Sequence, residues 1–402
     1  MRILIPFSYY HPEQCAGLFV IDDMTAKAAR QGISSLITVP TPTRNVEPGA
    51  KWSRDESLFE GMVRVHRFHM YGEGKNPVLR ALRYLLCEIV QLHYMLWEEY
   101  DVAFIDSTPP IQGLKLPIAR LLRKKPVVYN AQDLFPETLS GTGLAKRGGL
   151  LWKIGMWVSN VTFRYSDKII AISEDIKRSI VARGVSEEKV EVVYNWVDEN
   201  AVRPVAKEDN PLFEVFGLSR EQFTVVYAGN LGNAQNISII LDAAGLLPEV
   251  QFAVFGTGGL EDEIRKRIAV ENLTNVHLNP LQPMERVSQV YSLGDACIVS
   301  CKAGLGGSAM PSKTWNIMSC GRPVVASFDE GELKEILEKN NCGVFSHAGN
   351  VQEFVEAIRT LEAEPSRCEE MGWNARQFIL ENLTKEVGAK KYVDVIKSFE
   401  KQ

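Results

Sequence analysis

The 402-residue sequence predicts an α/β fold of two Rossmann-like domains, each a doubly wound parallel sheet, facing each other across a cleft. Three observations lead there. Short β-branched runs alternate with segments of helical periodicity along the whole chain, the pattern of repeated strand–helix units. The length exceeds what a single core usually serves. The stretch Asn195 to Asn210 is polar, contains Pro204 and lacks periodicity, which marks a linker. The expected boundaries are 1–198 for the first domain, 199–385 for the second, and 386–402 for a C-terminal helix that packs back on the first.

In the first half, strands are expected at Arg2–Pro6, Ser35–Val39, Met62–His66, Val102–Asp106, Val127–Asn130, Lys168–Ile172 and Val190–Tyr194. Helices fall between them, among them Leu18–Gln31, Val78–Glu99 and Ser173–Ala182. In the second half, strands are expected at Thr224–Ala228, Gln251–Phe255, Val276–Leu278, Ala296–Ser300, Pro323–Ala326 and Gly343–Phe345. Their helical partners include Ile237–Leu246, Leu260–Glu271, Met284–Leu293, Lys313–Cys320 and Val351–Leu361.

Composition narrows the function. A hydrophobic share of 45% and a charged share of 24% describe an ordinary globular chain. The net charge of -5 argues against nucleic acid as a partner. The first 200 residues hold 25 basic and 23 acidic side chains, the remainder 20 and 27, so the first half is the better host for an anionic partner. The seven cysteines are scattered, with no Cys-x-x-Cys pair and no Cys/His cluster. Reduced buried thiols in the cytoplasm account for them, and no metal site is expected. Met1 to Phe7 reads as a strand rather than a signal peptide, and no stretch reaches the ~18 apolar residues of a membrane span.

In an open parallel sheet, ligands sit at the carboxyl ends of the strands, so the loops there carry the candidates. The run from Gly306 to Ala326 joins a glycine loop to a helix start at Ser312-Lys313 and ends in a strand. Lys313 falls in the first helical turn, where free backbone N–H groups also favour an anion. Gly229-Asn230-Leu231-Gly232-Asn233 lets backbone amides approach a phosphate, although a tight turn explains it equally. Gly256-Thr257-Gly258-Gly259 lacks the full dinucleotide fingerprint with its acidic partner, which disfavours a nicotinamide. The prolines of Asn279-Pro280-Leu281-Gln282-Pro283 rigidify a loop whose backbone could read a base edge, or simply connect. Glu332, in Ser327–Leu333, either meets a ligand or serves as a helix-start charge. What favours function is that five such loops share one sheet edge.

In the first half, Asp133 and Glu137 follow an apolar strand. A carboxylate there can position a hydroxyl or accept a proton; Asp133 could instead cap the next helix. Gly17 opens the first long helix and leaves its amide open to a substrate. His11 is either a contact or merely solvated. The segments Leu144 to Arg164 and Val78–Glu99 combine apolar periodicity with Trp, Lys and Arg, which fits either packing within the domain or a peripheral membrane contact.

Taken together, these residues resemble glycosyltransferase family 4, of the GT-B fold, and within it the branch of bacterial L-fucosamine transferases of surface-polysaccharide synthesis. The matching motifs are Pro12-Glu13, Ser107-Thr108-Pro109-Pro110, Asp133 to Glu137, Ala171-Ile172-Ser173, Tyr194 to Asp198, Tyr227 to Gly232, Pro311-Ser312-Lys313 and Cys320 to Ala326. The resemblance implies a retaining, metal-independent transfer without a cofactor. The donor, a UDP-sugar such as UDP-N-acetyl-L-fucosamine, sits on the second domain. The acceptor, a polyprenyl-diphosphate-linked saccharide, sits on the first, at the cytoplasmic face of the inner membrane, in O-antigen or capsule synthesis.

In that frame Asp133, Glu137 and Lys313 are the candidate catalytic residues. Gly17, Gly229, Asn230, Gly256, Leu281, Lys302, Ser308, Ser312, Asn316, Glu332 and Leu333 are the nucleotide-sugar candidates. Lys313 and Lys302 would face the leaving diphosphate, Asn316 the ribose, and Ser308 and Glu332 the sugar or phosphates. Two departures stand out. Many relatives carry a Glu pair where this chain has Ser308 and Asn316, and cations in the loop here spanning Gly229 to Asn236, which has none. The rival functions are a nucleotide-sugar epimerase of the same fold and a catalytically silent, membrane-tethered binding subunit.

Overall fold

The structure, a computed structural model, describes residues 1–400 except 14, 16, 45, 47, 48, 75, 138–145 and 307–309. It divides into two compact units, Met1–Tyr194 with Glu386 onward, and Asn195–Lys385.

The first unit runs β1 (Arg2–Pro6), α1 (Leu18–Arg30), β2 (Ser34–Pro40), β3 (Asp55–Leu58), β4 (Val63–Phe68), α2 (Pro77–Trp97), β5 (Val102–Asp106), α3 (Leu116–Arg123), β6 (Val127–Ala131), α4 (Leu150–Tyr165), β7 (Lys168–Ala171), α5 (Glu174–Val181) and β8 (Val190–Val192). The second runs α6 (Leu212–Phe216), β9 (Thr224–Asn230), α7 (Ser238–Leu246), β10 (Gln251–Thr257), α8 (Glu261–Val270), β11 (Val276–Asn279), α9 (Val287–Tyr291), β12 (Ala296–Ser300), α10 (Lys313–Ser319), β13 (Val324–Phe328), α11 (Glu332–Lys339), β14 (Gly343–His347), α12 (Val351–Ala363) and α13 (Pro365–Asn382). The last helix, α14 (Lys385–Lys397), belongs to the first unit from Glu386 on.

The first sheet has the order β3-β4-β2-β1-β5-β6-β7-β8, and the second β11-β10-β9-β12-β13-β14. Every pairing is parallel except β3 with β4. Strands covered on both faces must be apolar throughout, which is why β1, β5, β6 and β12 read as nearly unbroken hydrophobic runs. On one face of the first sheet, Leu4, Ile105 and Tyr129 pack with Met95 of α2, Leu116 of α3, Phe163 of α4 and Ile176 of α5. On the other face Phe104 meets Tyr392 of α14, ring centroids 6.1 Å apart. In the second unit, Val225, Phe252 and Ile298 share a core with α7 and α12, while Trp315 of α10 stacks on Phe378 of α13.

Local signals set the helix starts. Asn76 accepts from the amides of Val78 and Leu79, Ser173 from Ile176, and Asn350 from Glu353, each satisfying amides that a helix start leaves open.

Three expectations change. The antiparallel edge strand β3 has the sequence Asp-Glu-Ser-Leu, polar and largely exposed, so no hydrophobic alternation marks it. The Met284–Leu293 helix shrinks to α9, preceded by a 3₁₀ turn at Met284–Arg286. Asn195 to Asn210 is no free linker but part of the second unit. The Arg203 and Val205 amides donate to Ser288 and Ser292, the Asn210 side chain donates to the Gln289 carbonyl, and Arg376 donates to the carbonyls of Glu199 and Val202. Its polarity reflects both hydrogen bonding to neighbouring helices and the exposure of residues such as Asp198, Asn200, Glu208 and Asp209.

One close approach bears on the site. Gly155 of α4 lies against the Phe135–Pro136 corner, and a Cβ there would stand 2.6 Å from Pro136. Gly155→Ala is expected to lower stability by about 1–3 kcal/mol through overpacking. The check is the midpoint of urea unfolding; an unchanged midpoint means the corner yields without cost.

Candidate functional site

The second unit gathers its polar loops at the carboxyl ends of β9 to β13. Lys313 opens α10, and its Nζ lies 4.1 Å from the centroid of the Tyr227 ring. This ammonium is closed to solvent and has no hydrogen-bond partner among the described residues. Burial lowers its pKa to about 8. The aromatic face offsets part of the cost of burying a charge, but it supplies no acceptor. The Tyr227 hydroxyl is already engaged, donating to the Asn230 carbonyl at 2.8 Å and so fixing the turn after β9.

Gly229 forms that turn at φ 148°, and a Cβ on it would lie 2.8 Å from the Lys313 Nζ. The backbone must therefore be bare where the lysine reaches. Asn230 beside it is exposed, its side chain 3.4 Å from Gln235. Gly256 has a packing role: a Cβ there would meet the Gly229 carbonyl at 2.4 Å. It sets the spacing of two loops.

The other candidates fall around this centre. Asn316 lies one helical turn after Lys313, and exposed Ser312 precedes it. Lys302 is exposed after β12, its amide bonded to the Ala234 carbonyl. The Asp329 carboxylate accepts from the amides of Gly304 and Gly306, fastening the loop after β12 to the end of β13. Glu332 and Leu333 are both buried at the start of α11. The Leu333 side chain belongs to the core, so only its backbone could serve a ligand. Leu281 is half exposed in the loop after β11. Ser308 lies outside the described residues.

In the first unit, Asp133 is exposed in the loop after β6, yet enough protein surrounds it that desolvation raises its pKa. Asp106, at the end of β5, was not among the sequence candidates. It is buried, accepts from the Thr108 amide at 3.1 Å and the Asn130 side chain at 2.9 Å, and burial raises its pKa to about 6. Tyr392 of α14 donates to Asn130 at 2.9 Å, which ties the last helix to this strand end. The signal was present in the sequence: a carboxylate closing an otherwise apolar strand.

Glu137 is half-buried, and its Oε2 has no hydrogen-bond partner among the described residues. Its carboxylate pairs with Arg183, whose guanidinium also donates to the Phe135 carbonyl. That bridge holds the Asp133–Glu137 loop in place. His11 is bonded to Asp22 at 2.7 Å, which raises its pKa, rather than merely solvated. Gly17 adopts φ 105° at the start of α1, with open space where a Cβ would stand. Glu13 accepts from the amides of Thr43 and Arg44, while its Oε2 is buried with no partner among the described residues.

The Lys313 geometry fixes two opposite pH dependences. The folded pKa lies below the unfolded one, so the unfolded chain binds more protons above about pH 8, and ligand-free stability rises with pH from there to the ordinary lysine range. An anion bound at Nζ needs the protonated form, so its affinity falls above about pH 8, by about tenfold per pH unit. Lys313→Met is expected to raise ligand-free stability at pH 7 by about 1–3 kcal/mol and to abolish anion affinity. Thermal melts with and without a nucleoside diphosphate, from pH 6.5 to 9.5, check both.

Comparison with known proteins agrees with this architecture. A model of glycosyltransferase family 4 matches residues 20–201, and a model of glycosyl transferases group 1 matches 209–378. The chain is 23% identical over 345 residues to WbjE of Pseudomonas aeruginosa, named a glycosyltransferase, covering 85% of this chain and 84% of the relative. It is 24% identical over 412 residues to WcaI of Escherichia coli K12, named a colanic acid biosynthesis glycosyl transferase, covering 99% and 100%. The crystal structure of Anabaena Alr3699/HepE in complex with UDP superposes with a TM-score of 0.73 at 20% identity, covering 99% of this chain and 100% of that one. The protein is a glycosyltransferase of the GT-B fold, a family 4 glycosyltransferase domain followed by a group 1 glycosyl transferase domain.

Proposed function

We propose that the protein transfers a sugar from a UDP-sugar to a saccharide carried on a polyprenyl diphosphate, in surface-polysaccharide synthesis at the cytoplasmic face of the inner membrane. The observation that carries this reading is the buried, unpartnered Lys313 ammonium beside the bare Gly229 backbone. A fixed cation with no acceptor among the described residues suits a leaving diphosphate, whose negative charge grows as the glycosidic bond breaks. The relationship to WcaI supports the polysaccharide setting, and the UDP complex of HepE supports the nucleotide.

In this reading the acceptor hydroxyl oxygen bonds the anomeric carbon as the bond from that carbon to the diphosphate oxygen breaks. The hydroxyl proton passes to the leaving diphosphate, and configuration is retained. Lys313 balances the diphosphate charge directly, with no metal ion required. Asn316, one turn on, faces the ribose; Glu332, Ser308 and the Leu333 backbone hold the sugar and phosphates; Leu281 borders the base; and Lys302 sits at the rim. Asp133, its proton affinity raised by its surroundings, orients the acceptor hydroxyl or the donor sugar. Glu137 supports that loop through Arg183. An N-acetylated deoxyhexosamine such as N-acetyl-L-fucosamine is the proposed sugar.

The test begins with melting of the protein across UDP, dTDP, GDP, ADP and NAD, with magnesium or with a chelator. UDP is expected to stabilise by about 2–3 kcal/mol at ~100 times its dissociation constant, equally in chelator. A shift with NAD alone overturns the reading. Incubation with UDP-sugars then separates the alternatives, because an epimerase converts donor without acceptor and a silent subunit releases no UDP at all. Asp133→Asn is expected to lower kcat by about 10²–10⁴-fold while leaving the UDP-dependent melting shift intact; full activity of that variant removes Asp133 from the chemistry.

A further inference from the structure

The large apolar side chains on the surface are not evenly spread. Val78, Ile89 and Trp97 of α2, Leu121 of α3, and Leu150 and Trp157 of α4 are each 60–75% exposed. These three helices pack side by side and send Met95, Leu116 and Phe163 into one core on a single face of the first sheet. Their outer faces therefore turn the same way. A helix facing water normally presents polar residues there, and monomers rarely leave a large contiguous apolar surface uncovered.

The charges on this face are net basic: of the acidic residues just beyond the helices, Glu98 pairs with Arg2, Glu99 with Arg123 and Asp167 with Arg120. Across α2, α3 and α4 the only acidic residue is Glu88, and it is buried against Lys115 at 2.9 Å. Arg80, Lys153 and Arg164 are exposed on the same helices, and exposed Lys124 follows α3. A groove of about 870 Å³ beside α3 is lined by Leu121, Lys124, Arg164 and Lys189 together with Asp167, whose charge is met by Arg120 at 2.7 Å, so apolar groups adjoin a net cationic set. A second copy of this face would bring like charges together in a two-fold contact. A lipid surface with phosphate headgroups and acyl chains complements both features. No helix among the described residues is long and apolar enough to cross a membrane, so contact is interfacial.

We infer that the α2–α3–α4 face of the first unit docks on an anionic phospholipid surface, its leucines and tryptophans entering the interfacial layer and its basic side chains meeting headgroup phosphates. The inference goes beyond the sugar-transfer reading and requires neither nucleotide nor acceptor.

The experiment is co-sedimentation of the full chain with vesicles of phosphatidylcholine, with and without phosphatidylglycerol. Binding is expected on the anionic vesicles, on the order of tenfold or more above neutral ones, and weakened by salt. Leu121→Asp with Trp157→Asp should abolish it, and Lys153→Glu with Arg164→Glu should reduce it on the order of tenfold or more on anionic vesicles. Val270→Asp, equally exposed on α8 of the second unit, should change nothing. Unaltered melting and an intact UDP-dependent shift show that the variants fold, and separate this outcome from failure at the donor site. No vesicle binding, equal binding to both vesicles, or binding indifferent to the face variants overturns the inference. So does self-association by light scattering that Leu121→Asp with Trp157→Asp removes while vesicles remain unbound.

Discussion

A parallel sheet covered on both faces leaves its strands no place for polar chemistry, and that constraint arranges everything else in this protein. β1, β5, β6, β9, β10, β12 and β13 are buried over almost their whole length. Groups that can hold a ligand are displaced to the loops at the carboxyl ends, where backbone amides are not used by the ladder. Within each unit, all these loops leave the sheet along one edge because the strands run in one direction. Lys313, Gly229 and Asn316 in the second unit, and Asp106, Asp133 and Glu13 in the first, are consequences of that direction.

Two buried lysines show how the fold separates structure from function. Lys115 sits in the first unit bonded to Glu88 at 2.9 Å and to Gln91 at 2.8 Å, with Gln112 completing the set. Burial pushes the lysine pKa down and the glutamate pKa up, and the pair answers each other's charge. Gln112 in turn donates to Ser8 at 2.7 Å, and Gln91 to the Phe7 carbonyl at 2.9 Å, so this cluster pins the loop after β1. The Lys313 ammonium is likewise withdrawn from water, and among the described residues it meets only the Tyr227 ring. An ion pair met from all sides is a strut. A cation left with an aromatic face and no oxygen holds an unspent electrostatic capacity, which an arriving anion can use.

The same distinction applies to the carboxylates. Glu137 looked equivalent to Asp133 in the sequence, four residues away in one polar loop. The structure pairs one oxygen of Glu137 with Arg183 and leaves Asp133 at the surface with a raised proton affinity. Glu332 occupies a helix start but is buried together with Leu333, so its position at α11 is fixed by the core as much as by any ligand.

The order of strands and helices is legible in the chain alone, because hydrophobic period and glycine-rich punctuation are local. β1, β5 and β12 fall at the residues that local pattern predicts. It also placed Lys313, Gly229 and Asp133 on strand-end loops, since a loop following an apolar strand is visible in one dimension. Pairings between distant residues emerge only in the folded chain. The Tyr227 ring beneath Lys313 lies 86 positions from it in sequence, and Tyr392 meets Asn130 across 262. The edge strand β3 is defined by its partner β4, not by its own residues. The acid-free outer face of α2, α3 and α4 exists only once three separate helices share one layer. Desolvation and unmet hydrogen bonds depend on what surrounds an atom in space, and no single stretch of chain carries that information.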